Sequence, residues 1–144
     1  MILYLDTSAL IKAYGTDEGT AEVLAAMGKA ELVASHLIAF VEANAAFARL
    51  LREQVLNEKQ GDAVKQEFSH DWGNYIQVGN DQTLLQRASE LAEAFALRAY
   101  DNVHLAAADL LLKQSGMGVT FACFDRKLNH AAAILGLPLT AGRQ

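Results

Sequence analysis

The chain has 144 residues, of which 52% are hydrophobic, and its formal net charge is −5. This length and composition fit one domain with a substantial core and exclude a disordered chain. The acidic balance argues against a general nucleic-acid coat protein, because such proteins derive affinity from neutralising phosphates. The single cysteine, Cys123, excludes a disulfide framework and a thiolate metal site, and it fits a reducing cytoplasm.

The amino-terminal residues carry no basic leader, and no stretch approaches the roughly 18 uninterrupted apolar residues of a membrane span. We therefore expect a cytoplasmic protein that is neither exported nor associated with a membrane.

Predicted strands and helices alternate along the chain. The predicted strands cover residues 2–5, 31–35, 75–78, 119–124 and 137–140. The predicted helices cover about 7–14, 17–27, 36–56, 58–72, 81–97, 102–114 and 126–135. This alternation predicts an α/β fold, a three-layer sandwich with a mostly parallel, roughly five-stranded sheet flanked by helices. We expect one domain over residues 1–144, with a helical excursion at about 37–73.

The first strand ends at a carboxylate, Asp6, and is followed by two hydroxyl residues, Thr7 and Ser8. In an open parallel sheet this turn lies at the carboxyl edge, where ligands bind. Aspartate also caps helices, but Thr7 or Ser8 can fill that role here. We therefore predict that Asp6 belongs to a functional site.

Glu42 lies in a long apolar helix and has no basic neighbour three or four residues away. An unpaired buried carboxylate is expensive, so we predict that Glu42 is either a ligand or a water-exposed rim residue, and favour the first. The spacing predicts that one face of this helix points inward, formed by Ile38, Val41, Ala45, Ala48 and Leu51. Other apolar residues fall outside that face, so the helix is either covered on two sides within the domain or part of an interface.

Asp101 and Asp125 each stand at the start of a predicted helix. Capping and a functional role remain open for both residues from their own contexts. Asp109 is predicted to form an ordinary exposed ion pair with Lys113 and is excluded from the site.

The known sequence motifs for other chemistries are absent. The four histidines show no paired ligand spacing, and His104 is predicted to be a partly covered helix residue. The chain has no phosphate-binding glycine motif and no nucleophile elbow, which argues against nucleotide-binding and serine-hydrolase functions.

Four segments together resemble the PIN-domain ribonucleases, and among them the VapC-type toxins of bacterial toxin–antitoxin pairs. The segments are residues 5–10, 40–45, 97–108 and 124–128. The resemblance implies a metal-dependent endoribonuclease whose acids Asp6, Glu42, Asp101 and Asp125 bind Mg²⁺ or Mn²⁺, with Thr7 and Ser8 supporting the site. It also implies an RNA substrate, an antitoxin partner and a homodimer.

The residues support the same class of chemistry, since carboxylates are the ligands that Mg²⁺ prefers and such ions promote phosphodiester hydrolysis. Lys12, Arg126 and Lys127 flank two of the acids and are candidates for RNA phosphate contacts, although plain surface charge explains them equally well.

Two alternatives remain at the level of sequence. One is a non-catalytic protein-binding module that uses the long helix, with the acids as caps. The other is a haloacid-dehalogenase-type phosphatase, which needs a second aspartate two residues after the first, where this chain has Ser8.

Overall fold

Strands and helices alternate along residues 1–140, the part of the chain that the computed structural model describes. The strands are β1 (Ile2–Leu5), β2 (Leu32–His36), β3 (Ile76–Val78) and β4 (Val119–Ala122). The helices are α1 (Thr7–Ala13), α2 (Thr20–Lys29), α3 (Ile38–Arg52), α4 (Glu58–Trp72), α5 (Gln82–Phe95), α6 (Ala99–Ser115) and α7 (Arg126–Ile134). The predicted α/β class is confirmed.

The four strands form one parallel sheet in the order β3-β2-β1-β4. The chain moves from β1 outward to β3 and then returns to place β4 on the other side of β1. The strand order therefore reverses between β1 and β4, and ligands of open parallel sheets bind at the carboxyl ends of the strands at such a point.

The predicted fifth strand is wrong, and the sheet has four strands within residues 1–140. The segment at 137–140 makes one isolated parallel bridge, between Phe121 and Leu139, and the Phe121 amide donates to the Pro138 carbonyl. Pro138 has no amide hydrogen to donate, which limits the ladder that this short segment can form.

The sheet is covered on both faces, so the domain has three layers. Successive β1 side chains point to opposite faces. Ile2 and Tyr4 pack into a core formed with α5, α6 and α7. Leu3 and Leu5 pack into a second core formed with α1, α2, α3 and α4. All four of these residues are buried, as a continuous apolar strand between two layers requires.

The predicted inward face of α3 is wrong. The buried residues are Ala39, Ala43, Ala46 and Phe47. Val41, predicted to be buried, is 63% exposed. A helix with two apolar stripes does not reveal by spacing alone which stripe faces the core, and here the small alanine side chains face the protein interior.

Several helix boundaries also differ from the prediction. α6 begins at Ala99 rather than Asn102, because Arg98 is extended and serves as its N-cap residue. The Asn102 side chain is buried one turn into the helix, where its amide donates to the carbonyls of Leu97 and Arg98. α5 ends at Phe95, because Ala96 adopts a left-handed conformation. No helix within residues 1–140 combines the length and the apolar character that crossing a bilayer would require.

Gly19, the N-cap residue of α2, gives a test of the local packing. Its φ is +95°, and an added Cβ would lie 2.6 Å from the Phe124 ring. Replacing Gly19 by alanine should therefore lower the free energy of unfolding by roughly 1–3 kcal/mol. Urea denaturation measures this change.

Gly28→Ala is the matched control, because Gly28 lies in the same helix and has open space around its Cβ position. This change should leave stability unchanged or raise it by up to about 1 kcal/mol through helix propensity. A Gly19→Ala protein as stable as Gly28→Ala would contradict the packing described here.

Candidate active site

Asp6 and Asp125 lie at the carboxyl ends of the adjacent strands β1 and β4. The Asp6 amide donates to the Ala122 carbonyl at 3.1 Å, which continues the pairing of the two strands up to the first acid. Asp6 is only 5% exposed. The structure thus brings these two acids to the point where the strand order reverses.

The prediction that Thr7 or Ser8 caps the first helix is wrong, because Asp6 itself is the N-cap residue of α1. Its Oδ1 accepts from the Ala9 amide at 2.9 Å and from the Ser8 hydroxyl at 2.7 Å. Thr7 and Ser8 are already helical and so cannot cap. Both of these bonds use Oδ1, so capping accounts for one oxygen of a two-oxygen carboxylate.

Ser8 joins the two strand ends through its hydroxyl. It donates to Asp6 and accepts from the Phe124 amide at 3.1 Å. This one side chain fixes the start of α1 against the loop that carries Asp125. The structure therefore gives Ser8 a supporting contact to Asp6.

Asp125 caps α7, since its Oδ1 accepts from the Leu128 amide at 3.0 Å. Its own amide donates to the buried Cys123 sulfur at 3.2 Å. Burial, and then the negative charges of Asp6 and Asp125, raise the pKa of the Cys123 thiol far above its usual range. The Cys123 thiol is therefore protonated where it contacts the Asp125 amide.

Asp101 lies in the first turn of α6 and is partly exposed. Burial raises its pKa, and the negative charges of Asp125 and Asp6 raise it further, against the opposing effect of Arg98. The Arg98 contact is weak, with 4.0 Å between Nε and Oδ2 and an almost fully exposed guanidinium. Three acids from α1, α6 and α7 thus share one region of negative potential.

Glu42 approaches from α3 and is held by a different set of contacts. The Thr7 hydroxyl donates to its Oε1 at 2.6 Å, and His104 Nε2 lies 3.7 Å from the same oxygen. His104 lowers the pKa of Glu42 the most and Thr7 lowers it further, while partial burial opposes them. Glu42 is therefore held as a carboxylate, whereas burial and the neighbouring charges of Asp125 and Asp6 favour the protonated form of Asp101.

The four predicted acids lie along one edge of the sheet, but their side chains are not arranged around a single point. Within residues 1–140, no group of three or more histidine, cysteine, aspartate or glutamate side chains is arranged to hold a metal ion. The donor set nevertheless fits Mg²⁺ or Mn²⁺, because it consists of carboxylates, and burial together with the negative charges of Asp125 and Asp6 raises the pKa of Asp101. Metal ligation by these residues stays a prediction.

Basic residues surround the acids. A cleft of about 200 Å³ is lined by Asp101, Asp125, Arg98 and Lys127, together with Ala96 and Leu97. Arg126 is exposed beside it, and Lys12 lies over the Phe124 ring, 5.0 Å from its centroid. The cleft thus combines two acids with two cations that could face a phosphate chain.

Two residues of this region were missed at the level of sequence. His104 is buried rather than partly covered, and it contacts Tyr4, for which the sequence predicts only a place in the first strand. The available signal was spacing, because His104 follows Asp101 by three residues and so shares its helix face.

Asp109 corrects another expectation, since it is 3% exposed rather than a surface residue. It accepts from Arg87 at 3.0 Å and from Lys113 at 2.8 Å. Two cations satisfy this buried acid.

Comparisons of this chain with known proteins agree on one family. A family model described as the PIN domain matches residues 3–134. The ribonuclease VapC45 of Mycobacterium tuberculosis is 31% identical over 135 residues, which cover 94% of this chain and 92% of that protein.

Solved structures share the fold of this chain at lower identity. FitAcB from Neisseria gonorrhoeae has a TM-score of 0.63 at 20% identity, covering 97% of this chain and 96% of that one. A toxin–antitoxin complex from Klebsiella pneumoniae has a TM-score of 0.60 at 17% identity, with coverage of 87% and 88%.

The crowding of acids predicts a stability change when Asp125 is neutralised. Asp125→Asn keeps the cap on α7 but removes a charge that raises the pKa of Asp101. At neutral pH we expect it to gain roughly 0.5–1 kcal/mol of unfolding free energy over the wild type, a range that allows for solvent screening. Urea denaturation at several pH values measures the gain.

The sign follows from proton linkage. A raised pKa in the folded state means that Asp101 costs stability as the pH rises above the ordinary aspartate pKa of about 3.9, so the gain should vanish below that value. Asp81→Asn is the control, because Asp81 caps α5 in the same way but does not contribute to the raised pKa of Asp101. Equal effects of the two substitutions at neutral pH would contradict the crowding.

Proposed function

The chain belongs to the PIN-domain family, and from that premise we propose that it is a metal-dependent endoribonuclease, the toxin of a toxin–antitoxin pair. The observation that carries this proposal is the gathering of Asp6, Asp101 and Asp125 where β1 and β4 end, with the raised pKa of Asp101 as its electrostatic signature. The relationship to a VapC ribonuclease supports RNA as the substrate.

Asp6, Glu42, Asp101 and Asp125 would hold Mg²⁺ or Mn²⁺. When bound, such an ion supplies positive charge that stabilises the phosphodiester as negative charge develops and makes water a better nucleophile. The charge would also offset the negative charges of Asp125 and Asp6, which together with burial raise the pKa of Asp101.

Glu42 is the acid that is held both ionised and oriented, as a ligand of a metal ion must be. His104 and Thr7 keep its pKa low, and the contacts that they make use Oε1. These contacts leave Oε2 to a ligand, and the lowered pKa makes Glu42 a weak proton acceptor. Because a hydrogen bond already orients the Glu42 carboxylate, little free energy is needed to orient it for the reaction.

Lys127 and Arg98 would position the RNA backbone in the cleft beside Asp101 and Asp125. Lys12 and Arg126 flank the same acids and extend this basic rim. Such contacts hold phosphates without reading sequence, so the choice of RNA rests on other features of the surface.

A cognate antitoxin and a second copy of the chain are the proposed partners. The similarity to a toxin–antitoxin complex from Klebsiella pneumoniae supports the first. Leu37, Phe40 and Val41 leave an apolar surface exposed next to Glu42 on α3, which suits a protein partner. The same surface favours the alternative of a non-catalytic binding module. A cytoplasmic location remains a prediction from the single buried cysteine.

The phosphatase alternative is not retained. Its chemistry needs a second aspartate at the position of Ser8, and here the Ser8 hydroxyl is committed to Asp6 and the Phe124 amide.

Incubation of the purified protein, free of antitoxin, with structured RNAs tests the activity. Cleavage should require Mg²⁺ or Mn²⁺, stop with EDTA, and fall at least about 100-fold in Asp6→Asn, Glu42→Gln and Asp101→Asn, since each removes a charged group from the site. Asp6→Asn retains an oxygen that can cap α1, so its loss of activity reports the charge.

Asp81→Asn is the matched control and should cleave at the wild-type rate, because it changes a capping aspartate of α5 that contacts no site residue. Undiminished cleavage by Asp6→Asn would overturn the assignment. An intact fold without cleavage of any RNA would favour the binding module.

Metal binding can be tested without activity by thermal unfolding. Mn²⁺ should raise the Tm of the wild type by several degrees at millimolar concentration, because a ligand that binds only the folded state stabilises it. Asp6→Asn should show a much smaller rise and Asp81→Asn a rise equal to the wild type. The same Tm rise in Asp6→Asn would show that Asp6 does not hold the ion.

A further inference from the structure

A chain of hydrogen bonds runs from the core of the domain to Glu42. The Tyr4 hydroxyl lies 2.8 Å from His104 Nδ1, and His104 Nε2 lies 3.1 Å from the Thr7 hydroxyl. Thr7 in turn lies 2.6 Å from Glu42 Oε1. β1, α6, α1 and α3 each contribute one residue to this chain.

The direction of each hydrogen bond follows from the last acceptor. An ionised carboxylate can only accept, so the single hydroxyl hydrogen of Thr7 goes to Glu42. The Thr7 oxygen must then accept from His104, which places a hydrogen on Nε2. In the neutral ring, Nδ1 is left to accept from the Tyr4 hydroxyl, and all three donors point toward Glu42.

The imidazole is held in this orientation by its surroundings. His104 is 3% exposed and Tyr4 is fully buried. The Tyr4 ring stacks on Phe121, with 5.7 Å between centroids and 7° between planes. The rings of His36 and His104 meet edge to face, with 6.3 Å between their centroids, and His36 is itself fixed by the Ile38 amide and the Asn80 side chain. A buried ring with both nitrogens engaged has one favoured orientation.

We infer that His104, anchored by Tyr4, is a positioning residue for Glu42: its Nε2–H orients the Thr7 hydroxyl, which fixes the Glu42 carboxylate beside the other acids. The 3.7 Å between Nε2 and Oε1 is too long for a direct hydrogen bond, so His104 positions Glu42 through Thr7. This inference rests on the proposed function for its consequence in catalysis. The chain of hydrogen bonds itself can be tested in the protein without metal or RNA.

The position of His104 on α6 means that this chain of hydrogen bonds also links the placement of Glu42 to that of Asp101. Asp101 precedes His104 by three residues on the same helix, so one rigid element carries both an acid and the ring that positions Glu42. The Thr7 link also spans from α1, which Asp6 caps, to α3. The relative placement of the acids is therefore coupled through His104 as well as through the sheet.

The spectroscopic test uses ¹⁵N-labelled protein without metal or RNA. Long-range ¹H–¹⁵N correlation distinguishes a protonated from an unprotonated ring nitrogen, and His104 should carry its hydrogen on Nε2. Tyr4→Phe removes only the hydroxyl that donates to Nδ1. Because the Thr7 oxygen still accepts from Nε2, the hydrogen should stay on Nε2, while the ¹⁵N shift of Nδ1 and the ¹³C shift of the Glu42 carboxyl should move.

Tyr14→Phe is the matched control, because Tyr14 also loses a hydrogen-bonded hydroxyl, one that contacts Asp71 and Tyr75 elsewhere in the domain. It should leave the signals of both His104 and Glu42 unchanged. A wild-type His104 with its hydrogen on Nδ1, or a Glu42 carboxyl that does not respond to Tyr4→Phe, would overturn the inference.

The kinetic test compares replacements of His104 that differ in their ability to donate. His104→Gln retains an amide hydrogen for Thr7, whereas His104→Leu fills the buried space without one. We expect kcat to fall about 10-fold in His104→Gln and Tyr4→Phe and about 100-fold in His104→Leu, with KM changed less than threefold, as for other residues that orient a ligand.

A merely structural role gives the opposite order, because leucine suits a buried site better than glutamine does. Activity in His104→Leu equal to or above that in His104→Gln would therefore contradict positioning. If the wild type cleaves no RNA, the proposed function fails while the ring-nitrogen spectra still decide whether the chain orients Glu42.

Discussion

The architecture of the site depends on how one buried carboxylate is satisfied at the end of the central strand. Asp6 is almost fully enclosed, and a charge in that position is tolerable only with hydrogen bonds. The Ala9 amide and the Ser8 hydroxyl supply them. Because Ser8 also binds the Phe124 amide, the contact that satisfies Asp6 fixes the approach of β4 and with it the location of Asp125.

Two carboxylates of the site, those of Glu42 and Asp101, have pKa values shifted in opposite directions. Hydrogen bonding and a neighbouring imidazole lower the pKa of Glu42, whereas burial and neighbouring acids raise that of Asp101. Environments that push the pKa values of nearby acids apart are typical of functional sites in which one carboxyl group stays ionised while its neighbour is more readily protonated. The separation arises because His104 and Thr7 hold the Glu42 carboxylate, whereas Asp101 is partly buried near the negative charges of Asp125 and Asp6.

The sequence predicted the elements better than the contacts between them. Continuous apolar strands and glycine stops identify the α/β class, and the acids after β1 and β4 identify the functional edge of the sheet. The cap on α1 was assigned to the wrong residue, because Asp6, Thr7 and Ser8 all favour caps and only the backbone conformation decides between them. The inward face of α3 was wrong because two apolar stripes compete, and Tyr4 joins His104 across a sequence separation of 100 residues that no local pattern reveals.

The pairing of β1 with β4 also determines when the site can exist. Leu5 and Ala122 are register partners, so the first strand of the chain is completed by a segment near its other end. During synthesis Asp6 and Thr7 emerge long before His104 and Asp125, and the acids cannot gather until α6 and β4 have left the ribosome. A nascent chain therefore carries no assembled site until both of these elements have emerged and β4 has paired with β1.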